Sequence, residues 1–162
     1  MIPIVLTFIY LIYLSLICQS LIIYDSIGYE LLGNQILHTG LIGYLKAGPN
    51  REPLYILVVA FAQYLGKSFT VDPRWMLKLL HIGMLVISQI LAFFILRGLR
   101  LKTWALVLAL LYIGISPVLV NSTMWVYSEI AAVPIILAII LSAARSWKGV
   151  YANERASKQI IN

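Results

Sequence analysis

The chain of 162 residues has little charge and a single cysteine. Asp, Glu, Lys and Arg make up 11% of it, whereas a soluble domain carries about 25%. With 62% hydrophobic residues, a soluble fold of this length would have too few polar side chains to cover its surface. The single cysteine, Cys18, excludes an internal disulfide. The composition is that of an integral membrane protein.

The common motifs of soluble enzymes are also absent from the sequence. It has no Gly-rich phosphate loop, no Gly-x-Ser-x-Gly and no paired-cysteine metal motif. His38 and His81 share no metal-ligand spacing with each other or with the acids. The net charge is +6, but the basic residues are scattered at the ends of apolar runs, as in membrane proteins. This scatter argues against binding of nucleic acid, which needs a basic stripe.

Four apolar stretches approach the roughly 20 residues that a spanning helix needs. The first is predicted to be an uncleaved anchor, since it lacks a basic leader and a small-residue cleavage site. In the second, His81, Ser88 and Gln89 are expected to face other helices and not lipid. Pro117 and Pro134 are expected to kink the third and fourth, or to end the third early. The predicted spans are residues 2–23, 75–96, 103–120 and 127–144.

Residues 53–65 form a further apolar stretch that is too short for an ordinary span. As a helix it would be about 20 Å long, against a hydrocarbon core of about 30 Å. We expect a juxtamembrane or re-entrant helix beginning at Pro53, because proline favours the first helical turn. The predicted fold is therefore an all-α membrane protein with about four transmembrane helices. Juxtamembrane helices lie in its outer loop (residues 24–74), and residues 145–162 form a basic cytoplasmic tail.

The distribution of basic residues gives only weak information on orientation. Four spans with a cytoplasmic N-terminus place seven lysines and arginines inside and five outside. Five spans with the N-terminus outside give nine against three. We prefer four spans, because residues 53–65 are short and because Asp25 and Glu129 then share the outer side. The predicted location is the plasma (inner) membrane, with several passes.

A polar segment, residues 24–53, holds most of the candidate site residues. Asp25 directly follows an apolar helix, where a carboxylate can act as general base, orient a nucleophile, hold a divalent metal or merely end the span. The guanidinium of Arg51 suits lipid phosphate oxygens, although a snorkelling arginine paired with Glu52 fits the pattern as well. Glu129 begins the last span, where an acid either serves a site or stabilises the helix N-terminus.

Taken together, these motifs resemble the membrane glycosyltransferases of the GT-C class. The resemblance is closest to the dolichyl-phosphate-mannose–protein mannosyltransferase-like and aminoarabinose-transferase-like branch. It rests on a first membrane helix leading to residues 24–29 and on the Arg-Glu-Pro-Leu-Tyr stretch at residues 51–55. Residues 115–117, followed by a polar loop and Glu129, extend it over nearly the whole chain.

The resemblance implies transfer of a sugar from a polyprenyl-phosphate donor to an acceptor at the extracytoplasmic face. Asp25 would be the catalytic acid that activates the acceptor, and Glu129 a second acid of the same cavity. Arg51 would contact the lipid phosphate, with Glu52 and Tyr55 supporting these residues.

Two features separate this chain from the family that it resembles. Some relatives bind a divalent metal with such acids, but Ser26 stands where several of them have a second acid. No metal ligand is therefore assigned, and a metal cofactor stays open. Family members also carry more helices and a C-terminal extracytoplasmic domain. We therefore expect residues 1–144 to be the N-terminal transmembrane module of a truncated or split enzyme, or one completed by a second membrane chain. The alternative is a non-catalytic multi-pass subunit or an inactive remnant.

Overall fold

The computed structural model describes residues 2–18, 25–48, 51–125 and 127–160; for residue 25 and residues 148–160 it describes the backbone alone. The regular structure in these residues is all helical. The helices are α1 (Ile2–Ile17), α2 (Asp25–Lys46), α3 (Pro53–Phe69), α4 (Pro73–Gly98), α5 (Thr103–Ile115), α6 (Pro117–Met124) and α7 (Glu129–Ile160).

Two of the described helices are long and apolar enough to cross a membrane: α4 and the first part of α7, Glu129–Trp147. The successive helices α5 and α6 meet at an angle of 42° and add a third span if the pair crosses as one. The protein is thus an all-helical chain with two or three candidate spans among the described residues. A total of four spans stays a prediction, because α1, within the first predicted span, is a shorter apolar helix of 16 residues.

The helices coincide with the predicted spans to different extents. The predicted span at residues 75–96 lies within α4. The one at residues 103–120 is broken at Pro117, because a proline lacks the N–H that would continue the helix. Helix α1 covers residues 2–17 of the first predicted span, whose residues 19–23 lie outside the described residues. Helix α7 continues to Ile160, so the segment predicted as a tail is helical up to that residue.

The polar segment is mostly helical. Helix α2 occupies its larger part and is bent at Gly40, whose φ of 72° is a conformation that glycine adopts readily. Helix α3 begins at Pro53 and extends four residues beyond the predicted Leu65, to Phe69. The turn into α4 is tight because Gly66 lies against Pro73, with no room for a side chain between them.

Helix α4 lies at the centre of the structure and contacts α1, α3, α5, α6 and α7. Its start is fixed by Asp72, whose Oδ1 accepts a hydrogen bond of 2.9 Å from the Arg74 backbone N–H. Helix α1 runs antiparallel to α4. Gln89 donates a hydrogen bond to Thr7 near one end of this pair, and Lys78 donates one to the Cys18 carbonyl near the other end.

Helix α7 runs parallel to α4, so the starts of both helices lie at one end of the structure. The start of α7 and Tyr55, which contacts α4 through His81, line one cavity. Leu141 of α7 and Phe94 of α4 line a groove towards the other end. We call the end with Glu52 and Glu129 the site end, and the end with Arg97, Arg100, Lys102 and Arg145 the basic end.

A buried polar contact joins α1, α4 and α5 between the two ends. The Gln89 Nε2 donates to Thr7 Oγ1 at 3.0 Å and to the Leu110 carbonyl at 2.9 Å. Gly114 lies against both Thr7 and Gln89, so a Cβ at this position would overlap them. Close approach of three helices around a hydrogen-bonded glutamine is therefore a structural requirement here.

We predict that Gly114→Ala lowers the melting temperature of the detergent-solubilised protein. The added methyl group displaces Thr7 and Gln89, and overpacking of this kind costs about 1–3 kcal/mol. The matched control is Gly83→Ala in α4, where an added Cβ meets nothing within 4 Å. Both changes improve helix propensity by about 1 kcal/mol, so the control should melt at or above the wild-type temperature. A Gly114→Ala protein that melts with the control would contradict this packing.

Candidate functional site

Tyr29 lies where the start of α2 meets the residues that precede α3 and α7. Its hydroxyl is 3.2 Å from Glu52 Oε2 and 3.3 Å from Ser128 Oγ. The hydroxyl has one proton and a carboxylate has none, so Tyr29 donates to Glu52 and the Ser128 hydroxyl can donate to the Tyr29 oxygen. One buried side chain of α2 thus connects the N-cap of α3 with the residue before α7.

Arg51 is held over the first turns of α2. The Arg51 Cζ lies 4.7 Å from the centroid of the Tyr29 ring, a cation–π contact. Its guanidinium also lies against Gly28, where an added Cβ would be 3.7 Å from Nε. The Arg51 carbonyl accepts a hydrogen bond of 3.0 Å from the Tyr44 hydroxyl, further along α2. Both the side chain and the backbone of Arg51 are therefore positioned by α2.

A second buried chain of contacts joins α3, α4 and α6. The Tyr55 hydroxyl is 3.1 Å from His81 Nε2, and His81 Nδ1 is 3.3 Å from the Thr123 carbonyl. A carbonyl only accepts, so Nδ1 carries a proton, and in the neutral imidazole Nε2 accepts from Tyr55. The Tyr29 ring meets the Tyr55 ring edge-on, with centroids 4.8 Å apart. The two chains of contacts therefore meet at these tyrosines.

Tyr55 is suited to positioning its neighbours and not to acting as a base, because its phenol does not lose its proton readily. Burial raises the pKa of its phenol above the ordinary value, and the nearby Tyr29 phenol and Glu129 carboxylate raise it further. The phenol thus stays neutral and keeps its proton for His81. Its role is to hold α3 against α4 beside the site.

A cavity of about 450 Å³ opens next to these residues, a size typical of small-molecule sites. Glu52, Ser128 and Glu129 form its polar wall, together with Tyr55. The rest of its lining is apolar and comes mainly from the first turns of α7, with Leu54 added from α3. The cavity is therefore lined by both carboxylates and hydrocarbon side chains.

The structure brings four of the five predicted site residues together. Arg51, Glu52, Tyr55 and Glu129 all lie at the site end, in or next to the cavity. The fifth, Asp25, begins α2 one turn before Gly28, but its side chain lies outside the described residues. Among the described residues, no three His, Cys, Asp or Glu side chains are close enough to hold a metal ion. The metal cofactor stays open, because the carboxylate of Asp25 is outside that set.

Tyr29 and Ser128 were not predicted as site residues, and His81 was predicted only to face other helices. The sequence contains a signal for Tyr29. Five of the ten tyrosines lie in residues 24–64: Tyr24, Tyr29, Tyr44, Tyr55 and Tyr64. Amphipathic phenols concentrated beside three acids and an arginine indicate a polar aromatic site, although only the fold shows which of the phenols point inward.

Comparisons of the chain with protein-family models, with curated proteins and with solved structures found no match. The chemistry of the site therefore follows from its own residues. Those residues are two carboxylates at a cavity, a guanidinium fixed nearby, and a wall of aliphatic side chains.

We predict that Tyr55→Phe lowers the free energy of unfolding by about 1–3 kcal/mol, because it leaves the buried His81 Nε2 without a partner. The matched control is Tyr64→Phe on the same helix, whose side chain is exposed and whose change should stay within about 0.5 kcal/mol. Reversible unfolding of both variants in mixed micelles measures the difference. Equal costs for the two changes would show that the Tyr55–His81 hydrogen bond contributes nothing to stability.

Proposed function

We propose that the chain is a glycosyltransferase, or the N-terminal module of one, that uses a polyprenyl-phosphate sugar donor and an extracytoplasmic acceptor. The observation that carries the proposal is the cavity at the site end. It joins the carboxylates of Glu52 and Glu129 to an apolar wall, next to the fixed guanidinium of Arg51. A lipid-linked sugar has the same division into a polar head and a hydrocarbon tail.

The apolar wall gives the donor a path from the bilayer. Ile135 and Ile136 line the cavity and are 42% and 54% exposed, so this face of α7 is open to lipid. A polyprenyl chain can lie along it without leaving hydrocarbon. The phosphate then comes to rest near Arg51, whose planar guanidinium can donate two hydrogen bonds to phosphate oxygens. Its fixed position over Tyr29 lowers the entropy cost of that contact.

The carboxylates supply the proton transfer that the reaction needs. A hydroxyl oxygen of the acceptor forms a bond to the anomeric carbon of the sugar. The bond between that carbon and the phosphate oxygen breaks, and polyprenyl phosphate leaves with the electron pair. Asp25 takes the hydroxyl proton as general base, and Glu129 orients the acceptor in the cavity. Glu52 is held by Tyr29 and supports the arginine beside it.

The test measures sugar transfer by the full chain in liposomes that contain a panel of polyprenyl-phosphate hexoses. The quantity measured is the amount of polyprenyl phosphate that is released. General-base catalysis contributes about 10²–10⁴-fold, so we predict that Asp25→Asn lowers the rate by at least about 100-fold. Glu129→Gln should also lower it, and Arg51→Gln should raise the KM for the donor more than it lowers kcat.

The matched control is Glu30→Gln on the same helix as Asp25. Glu30 is bonded to Arg74 at 3.0 Å, in an exposed ion pair away from the cavity, so its loss should leave transfer unchanged. Membrane insertion is checked for every variant by protease protection. Full activity of Asp25→Asn would overturn the catalytic assignment. Wild-type protein that releases no polyprenyl phosphate from any donor would favour the alternative of a non-catalytic membrane subunit.

A further inference from the structure

The described side chains of the basic end include four exposed cations and no acid. They are Arg97, Arg100, Lys102 and Arg145. The sequence has no Asp or Glu between Asp72 and Glu129, and both of these lie at the opposite end. Among the described side chains, no ion pair neutralises this cluster. The described side chains therefore give this end a positive potential that attracts anions.

Two tryptophans place this cluster at the level of lipid headgroups. Trp104 and Trp147 are 64% and 66% exposed, and each follows a cation by two residues. Tryptophan is enriched where the hydrocarbon meets the headgroup region, because its ring is apolar and its N–H is polar. Two helical residues span only about 3 Å, so each tryptophan lies near the depth of its cation.

A groove of about 190 Å³ lies between α4 and α7, next to this cluster of cations. Its walls are apolar and come from Phe94, Ile95, Leu99 and Leu141. The small residues Gly98 and Ala144 line it as well. Arg145 is the charged residue that lines it. A hydrocarbon slot thus ends at a guanidinium.

We propose that the basic end binds one anionic phospholipid, with its phosphate at Arg145 and an acyl chain in the groove between α4 and α7. Basic pockets between membrane helices bind anionic headgroups in this way. A free phosphate ion would leave the apolar walls exposed. A second copy of the chain would bring four cations against four others, and like charges at an interface are repulsive. This site lies at the opposite end from the proposed catalytic cavity, so it does not depend on the proposed function.

The test is native mass spectrometry of the full chain in detergent, titrated with phosphatidylglycerol or phosphatidylcholine of the same acyl composition. We expect one phosphatidylglycerol to be retained in preference to phosphatidylcholine, and the preference to shrink as salt rises. Each cation near an anionic headgroup is worth about fivefold in affinity, so Arg145→Gln should weaken phosphatidylglycerol by about that factor. Ala144→Leu should displace the lipid by filling the groove.

Two control variants separate a site from a general effect of charge or bulk. Lys67→Gln makes the same charge change on an exposed lysine of α3, and Ala143→Leu adds the same bulk one residue outside the groove. Both should retain phosphatidylglycerol like the wild type. Arg145 is exposed, so Arg145→Gln decides the matter even where Ala144→Leu fails to fold.

Equal retention of the two lipids by the wild type would overturn the proposal. So would an Arg145→Gln protein that binds phosphatidylglycerol unchanged, or equal losses in Arg145→Gln and Lys67→Gln. A dimer that carries no lipid would assign the groove to a second copy instead.

Discussion

The arrangement of the helices depends on one constraint: polar side chains of α4 that are buried in an apolar structure must find partners within the chain. An unpaired polar group buried in the protein costs about 2–7 kcal/mol, since the surrounding side chains keep out the water that could replace the lost partner. Lys78 is bonded to the end of α1, His81 to α3 and α6, and Gln89 to α1 and α5. Aliphatic packing alone would allow the helices to slide or rotate, whereas these directional bonds fix the register of each neighbour against α4.

The position of the site follows from that register. The hydrogen bond from Tyr55 to His81 sets how far α3 runs along α4, and hence where Glu52 and Arg51 lie. Tyr29 then holds Glu52 and Ser128 through its hydroxyl and Arg51 through its ring. Among the described contacts, phenols therefore position the charged residues of the site: Tyr29 contacts Glu52 and Arg51, and Tyr44 bonds the Arg51 carbonyl.

The positions of several helices could be predicted from the sequence, since long apolar runs and prolines are local signals. The span within α4, the start of α3 at Pro53 and the break at Pro117 are of this kind. Contacts between residues far apart in the sequence could not be predicted in this way. Tyr29 and Ser128 are separated by 99 positions, and no local pattern shows that they meet. Juxtamembrane helices were predicted in the outer loop, but only the one that begins at Pro53 was given a position. Helix α2 was not, because the scattered Gly, Asn and Thr residues of the polar segment obscure the apolar period.

The length of α4 links the two ends of the protein. Its 26 residues give a helix of about 39 Å, against a hydrocarbon core of about 30 Å. If headgroup contacts hold Gly98 and Arg97 at the basic end, the surplus of about six residues emerges at the other end, from Pro73 to Lys78. His81 then lies just inside the hydrocarbon boundary, and the cavity beside Tyr55 straddles it. A site at that depth can be reached by a lipid carrier from the bilayer and by a polar acceptor from water. Anchoring of one end by anionic lipid would therefore set the depth of the cavity at the other end, and with it the access of the donor and acceptor in the proposed reaction.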